Sequence, residues 1–565
     1  MRVRASLWIS LAAAALLSPA VLVVRAVHAD LAQFAASRVI LPKAPPLPRA
    51  RQDAPDSERK AQTQPTAAQP AFKPLTVVRN KPEELGQVPD HFFWLRPNLM
   101  AVQDPVDDQL VFLNDEGRVV GRGTLPPDFT IGEIASGPNI VRLIDKNGRR
   151  QMSIARNIDS GAIRSIQALP ITPDGATRAR LVTRRSADVL QLRDEGDARA
   201  KPLEIRSVTG ARLAQAYEIP PEPDHFRYVV SEEIAAASPA IRVRVFVRRY
   251  THAGELTGIV HVPLEGFEIV PHDFISVGAD GIVRVMVPTA AGVILRKYEF
   301  TAPPRAQRVR EEDLKHLGRS LREISVDSQV SQTEPSDQFP AAPAPVHVEV
   351  VLPPPPPITR AAILANARAF LTVNWVLKAD NYSRAGVDNT CSPRQGNIWV
   401  RPRHFTRDLI GKTIGPMPYR WGGDDTPQTF LLRVEWGALA GNLCTCRDPT
   451  LNYCIFAESA GTDCSGFVSS AWGISKRGTS GLLDVTDTLK DFSELRPGDA
   501  IDWPNHHVRL FVGMAPGPET AFMVLESSTR YDCEGVCEAT YRPSELSGYR
   551  LLRFRGVRED AEAKR

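Results

Sequence analysis

The sequence has no cysteine before residue 391, no long run of one charge sign, and neither an H-E-x-x-H nor a paired C-x-x-C. The first absence excludes disulfides from everything upstream of Cys391. The second, with 69 basic and 65 acidic residues and a formal charge of +4, excludes the concentrated basic footprint of a nucleic-acid binder. The third excludes the usual zinc-hydrolase and zinc-finger spacings. Gly411-Lys412-Thr413 ends like a phosphate loop, but Thr406 stands where the earlier glycine is required. No metal and no cofactor is expected.

At 565 residues the chain exceeds one hydrophobic core, so several domains joined by linkers are expected. A composition that is 43% apolar and 24% charged suits folded domains, while 48 prolines must collect in turns and tethers. Arg2 and Arg4 precede an uncharged stretch from Leu7 to Val24, and Val27-His28-Ala29 offers a small-x-small cleavage site. This predicts a signal peptide over residues 1–29 and export to a periplasm, envelope or medium, with no stable membrane span after cleavage; an uncleaved anchor is the alternative. Residues 30–83 read as a flexible tether, and 304–358, with its run from Pro353 to Pro357, as a second.

Between the tethers, residues 84–303 are short β-like runs closed by turn residues. Leu110 to Leu113 leads into Asn114-Asp115-Glu116-Gly117, Ile140 to Ile144 into Asp145-Lys146-Asn147-Gly148, and Phe274 to Val277 into Gly278-Ala279-Asp280-Gly281. Val243 to Val247 precedes a turn at Ala253-Gly254. Hairpins with such turns at a blade-sized interval resemble a β-propeller, with a β-sandwich as the alternative. The region carries no catalytic motif, and a protein or glycan partner is expected for it.

From Arg360 the pattern becomes mixed, beginning with helical spacing at Ile363, Leu364, Ala367 and Phe370. In Asp463-Cys464-Ser465-Gly466-Phe467-Val468, the apolar Phe467, Val468, Ala471 and Trp472 recur at three and four residues, so a helix starts near Cys464. Its N-terminus favours the thiolate, the nucleophilic form. A thiolate hydrolase needs an imidazole to share its proton. His507 opens the strand-like run Val508 to Gly513, and alternation places His507, Arg509 and Phe511 on one face. His506 is the rival. Glu526, ending the run from Phe522, would orient the imidazole, with Ser527 or Glu519 as alternatives.

Together with Tyr419-Arg420-Trp421-Gly422-Gly423 and Pro497-Gly498-Asp499, these residues resemble the NlpC-type endopeptidases, a papain-like family of cell-wall hydrolases. The resemblance covers residues 359–556 and leaves 557–565 as a charged tail. It implies an α+β fold, with Cys464 as nucleophile, His507 as general base and acid, and Glu526 as third member. By the same implication Tyr419 stabilises the oxyanion or binds substrate, and Asp463 and Ser465 line the pocket. Three features depart from the usual family pattern: residues 424–462 intervene between the aromatic-Gly-Gly segment and the cysteine, the third position carries the carboxylate of Glu526, a permitted variant where His or a neutral amide is commoner, and Arg509 replaces a small or apolar residue.

The expected fold class is therefore multidomain, with an all-β, propeller-like N-terminal domain and an α+β papain-like C-terminal domain. The expected activity is hydrolysis of an amide bond in peptidoglycan stem peptides, and the resemblance implies the γ-D-glutamyl link to the diamino acid as the preferred bond. The alternatives are a binding or assembly protein with an idle peptidase domain, or a papain-like amidase or acyltransferase on another substrate. Seven cysteines in an exported chain suggest three disulfides and one spared thiol, Cys464. Which of the fifteen pairings forms stays open.

Overall fold

The computed structural model describes residues 72–332 and 357–559, except 82–83, 127–128, 137–138, 147, 158–168, 171–179, 195–200, 220–225, 306–307, 447–452 and 518. The expected signal peptide, the first tether up to residue 71 and the proline run as far as Pro356 lie outside these residues. The described chain is mostly β-strand.

Its first part is a series of antiparallel meanders. Asp90–Arg96, Leu99–Asp104, Gln109–Leu113 and Val119–Thr124 form one sheet, and Ile131–Ser136, Ile140–Asp145, Arg150–Ala155 and Leu169–Pro170 the next. A three-stranded sheet spans 180–206, a four-stranded one 212–262, and a last sheet begins at Ile275–Val277. Alternating Val, Ile, Leu and Phe supply the buried faces of each meander. The turns read from sequence are present: Gly117 N–H donates to Asn114 O at 2.9 Å, and Gly281 N–H to Gly278 O at 2.9 Å. Both glycines have positive φ, +75° and +70°, which a side chain would strain.

The expected boundaries of this region need correction. Leu75–Lys81, placed in the tether by sequence, is a strand that pairs in parallel with Ser328–Gln332, placed in the linker. Leu75 and Val77 are fully buried. The β-rich region therefore runs from 75 to 332, its first strand tied to its last. Pairing across some 250 residues leaves no local signal in either segment.

The second part is built on a six-stranded antiparallel sheet. Its order is Thr486–Thr488, Arg550–Phe554, Ala500–Trp503, His507–Met514, Phe522–Ser528 and Gly535–Tyr541. The helices Arg360–Thr372 and Cys464–Ala471 pack on one face, joined by Phe370 and Phe467 edge to face with centroids 5.3 Å apart. The expected tail is also partly structural: Ile358–Thr359 pairs with Val557–Arg558, and Arg360 binds Glu559 at 3.0 Å.

The other face of that sheet packs on the β-rich region. Phe511, Phe522, Val524, Tyr549 and Leu551 share a core with Val230, Val245, Phe274 and Val285. Main-chain bonds cross the same seam, Ile241 N–H to Tyr549 O at 2.8 Å and Gly548 N–H to Ile241 O at 2.9 Å. Buried Glu232 accepts from Ser544 N–H at 3.0 Å and Ser544 Oγ at 2.7 Å. A continuous core of this kind makes the two parts one cooperative unit. Phe522→Ala is expected to cost about 3–5 kcal/mol and to lower the melting of both parts together in calorimetry; two well-separated transitions would contradict a shared core.

Candidate active site

The cysteine helix begins where the sequence places it. Asp463 is its N-cap, accepting from Gly466 N–H at 2.6 Å and from Ser465 Oγ at 2.9 Å, and Lys476 Nζ pairs with its other oxygen. Asp463 and Ser465 are both nine-tenths buried or more, and their side chains serve the start of the helix. Lys476, which sequence reasoning missed, also donates to Gly423 O at 3.0 Å.

The two motifs on either side of the 424–462 insertion meet directly. A Cβ on Gly466 would lie 2.2 Å from Gly423 O, and one on Gly423 would lie 2.5 Å from Gly461 O. Glycine at these positions lets the Tyr419–Gly423 segment touch the start of the helix. Tyr419 pairs with Thr462 across a parallel bridge and is buried beside the turn that leads into Cys464. The insertion includes the helix Pro427–Glu435 and carries the disulfides Cys446–Cys454 and Cys391–Cys444. With Cys533–Cys537, these disulfides leave Cys464 as the thiol.

His507 and Glu526 come together. His507 Nε2 lies 2.8 Å from Glu526 Oε2, and the carboxylate also accepts from Tyr541 Oη at 2.5 Å. Arg509 Nε stands 2.9 Å from Glu526 Oε2, its guanidinium between the rings of Tyr541 and Tyr549 at 4.2 and 4.7 Å. Glu526 is fully buried. Burial by itself would raise its pKa, but Arg509, the His507 hydrogen bond and Arg530 outweigh it and hold the carboxyl well below the usual range. His506, the rival imidazole, lies against the Trp503 ring at 4.5 Å. Tyr541 and Arg530 escaped sequence reasoning because they reach Glu526 from a neighbouring strand and a turn.

Strand alternation separates two environments. Val508 and Leu510 pack with Cys464 and its helix, whereas His507 and Arg509 line a cavity of about 1260 Å³ between the sheet and the β-rich region. Cys464 is 7% exposed. On the helix face, buried Asp502 has no hydrogen-bond partner for either oxygen among the described residues, and burial pushes it up to about 8 against the lowering pull of Arg550. Among the described residues no cluster of three or more His, Cys, Asp or Glu is placed to hold a metal ion.

No family model and no curated protein matches the chain. Among solved structures, similar chains include Hsv2 from Kluyvelomyces marxianus, at 10% identity over 41% of this chain and 65% of that one, with a TM-score of 0.15. Apo AztD from Citrobacter koseri is 14% identical over 43% and 74%, with a TM-score of 0.16. A duf4221 family member from Bacteroides vulgatus is 10% identical over 34% and 70%, with a TM-score of 0.17. The chain thus spans less than two thirds of the Hsv2 chain, and likenesses this loose carry no argument about fold or activity.

Two outcomes follow from the buried carboxyls. Glu526→Gln leaves buried cations unpaired and is expected to cost about 3–5 kcal/mol. Since the folded carboxyl titrates below its usual 4.5, its contribution is complete above that pH and is lost as pH falls, so the variant's urea midpoint should change less than the wild type's on acidification. Asp502 has the opposite sign. The folded protein keeps a proton that the unfolded chain releases near 3.8, so stability falls as pH rises from about 4 to about 8; Asp502→Asn should flatten that decline.

Proposed function

We propose that this protein is an exported cysteine peptidase that hydrolyses an amide bond in peptidoglycan stem peptides, with the γ-D-glutamyl link to the diamino acid as the favoured bond. The observation that carries the reading is the His507 to Glu526 bond of 2.8 Å on strands that pack under the helix opened by Cys464. Glu526 engages Nε2 and would hold the imidazole in one orientation, so proton exchange with the thiol falls to Nδ1. In this scheme the Cys464 thiolate attacks the amide carbonyl, and His507 delivers the proton to the departing amine. Water then attacks the thioester with His507 as base, releasing the acid and restoring the thiol. Three disulfides support export. The papain-like C-terminal fold belongs to the same proposal, supported by a cysteine helix lying on an antiparallel sheet that bears the histidine.

The β-rich region is read as a propeller, supported by five successive antiparallel sheets and by the pairing of its first strand with its last. A binding or assembly role for that region, with an idle peptidase domain, is the second reading. It is favoured by Cys464 being 7% exposed and packed on the helix face, while His507 lines the cavity on the other. Digestion of purified sacculi followed by mass spectrometry separates the two. Under the hydrolase reading, Cys464→Ala lowers stem-peptide release by at least about a thousandfold without changing the fold; undiminished release removes Cys464 as nucleophile and leaves the binding role.

A further inference from the structure

The disulfide Cys533–Cys537 closes a turn that touches both sides of the candidate site. Its cysteines flank Glu534, whose φ of +44° lies in the left-handed region that non-glycine residues avoid. The N–H groups of Cys533 and Glu534 both donate to Arg530 O, at 2.8 and 2.9 Å. Glu534 is 1% exposed, and its carboxylate accepts from Arg403 N–H at 2.5 Å and Arg403 Nε at 2.6 Å. Neither residue belongs to the sequence motif that singled out Cys464 and His507.

From this turn the main chain reaches the Tyr419 segment. Tyr419 N–H donates to Glu534 O at 3.1 Å, and Val536 N–H donates to Met417 O at 2.9 Å. A Cβ on Gly535 would lie 2.7 Å from Met417 O, so the approach leaves no room for a side chain there. The turn also serves the buried carboxylate: Arg530 lies 4.0 Å from Glu526 and donates to Tyr541 Oη at 2.7 Å, while Cys537 faces Glu526 in strand register.

The three disulfides differ in what they contribute. Stabilisation through the unfolded chain grows with the loop closed, and the sequence separation here is 4, against 8 for Cys446–Cys454 and 53 for Cys391–Cys444. Access runs the other way. Cys444, Cys446 and Cys454 are fully buried, so each of those two bridges has at least one shielded cysteine, whereas Cys533 and Cys537 are both partly exposed. An accessible disulfide on a short loop adds least to global stability and is the one open to thiol exchange.

We propose that Cys533–Cys537 is a redox-labile clasp on the candidate site, opened by a dithiol reductant. One thiolate of the reductant attacks a sulfur of the pair and forms a mixed disulfide, and its second thiolate then displaces the protein sulfur. The reductant leaves as a disulfide, and Cys533 and Cys537 take up two electrons and two protons to become thiols. Without covalent closure Glu534 relaxes from its positive φ, its carbonyl turns from Tyr419, and the segment beside the Cys464 helix loosens. Glu534 is thus a positioning residue. The loss of activity that follows rests on the hydrolase reading; the loosening does not.

The whole chain is titrated with dithiothreitol, its thiols are blocked with iodoacetamide, and the alkylated positions are read by mass spectrometry. Cys533 and Cys537 should open at about tenfold less reductant than the other four paired cysteines; another pair opening first overturns the inference. In protein reduced at that pair alone, the Tyr419 and Val536 amides should exchange hydrogen at least about tenfold faster, with Leu143 in the β-rich region unchanged. Unchanged exchange at Tyr419 overturns the inference, and this arm needs no substitution. Stem-peptide release from sacculi should fall about tenfold on the same reduction and return on reoxidation, and Cys533→Ser combined with Cys537→Ser should keep the low rate with or without reductant. Release that is measurable but indifferent to reduction also overturns it. If neither state releases stem peptides, the hydrolase reading fails while the exchange result still decides the clasp.

Discussion

A fully buried carboxylate, Glu526, needs compensating partners, and the structure around the candidate site is arranged to provide them. His507, Tyr541 and Arg509 meet its two oxygens, and Arg530 adds a positive charge 4.0 Å away. Each partner carries a further constraint. Arg509 can lie under the sheet only because Tyr541 and Tyr549 cover its two faces. Tyr549 in turn gives its carbonyl to Ile241 of the β-rich region. The orientation of one imidazole is thus tied, through a chain of close contacts, to the packing of the two halves.

The same sheet carries opposite chemistry on its two faces. One is apolar apart from Asp502 and accommodates the Cys464 helix, with Val508, Leu510, Leu525 and Leu552 beneath it. The other is apolar at Phe511, Phe522 and Val524, where it joins the shared core, and polar near the strand ends, where His507 and Arg509 open onto the cavity. Polar contacts across this seam, such as Ser544 donating to buried Glu232 and Arg542 donating to His272 O at 2.8 Å, fix how the halves register. An apolar core by itself permits sliding; directional hydrogen bonds do not.

Some of this was legible from local pattern. Phe467, Val468, Ala471 and Trp472, at three- and four-residue spacing, announce an amphipathic helix, and the structure starts the helix at Cys464. Asn114 to Gly117 and Gly278 to Gly281 announce tight turns because glycine relieves a positive φ. Cys464 was separable from the other six cysteines because it alone opens an apolar helical pattern. Elsewhere local pattern misled. The strand at Leu75 looked like tether because its partner, Ser328, is distant in sequence.

The sequence by itself determined the mostly β character of the first part, the helix that presents Cys464, the strands that bear His507 and Glu526, and which cysteine keeps its thiol. These are matters of period and turn geometry, which act within a few residues. Only the tertiary structure decided the three disulfide pairs, the Tyr541 and Arg509 contacts to Glu526, the burial of Asp502, and the cavity walled by both halves. Those depend on surfaces brought together from hundreds of residues apart, and burial and Coulomb energy act on distance in space rather than along the chain.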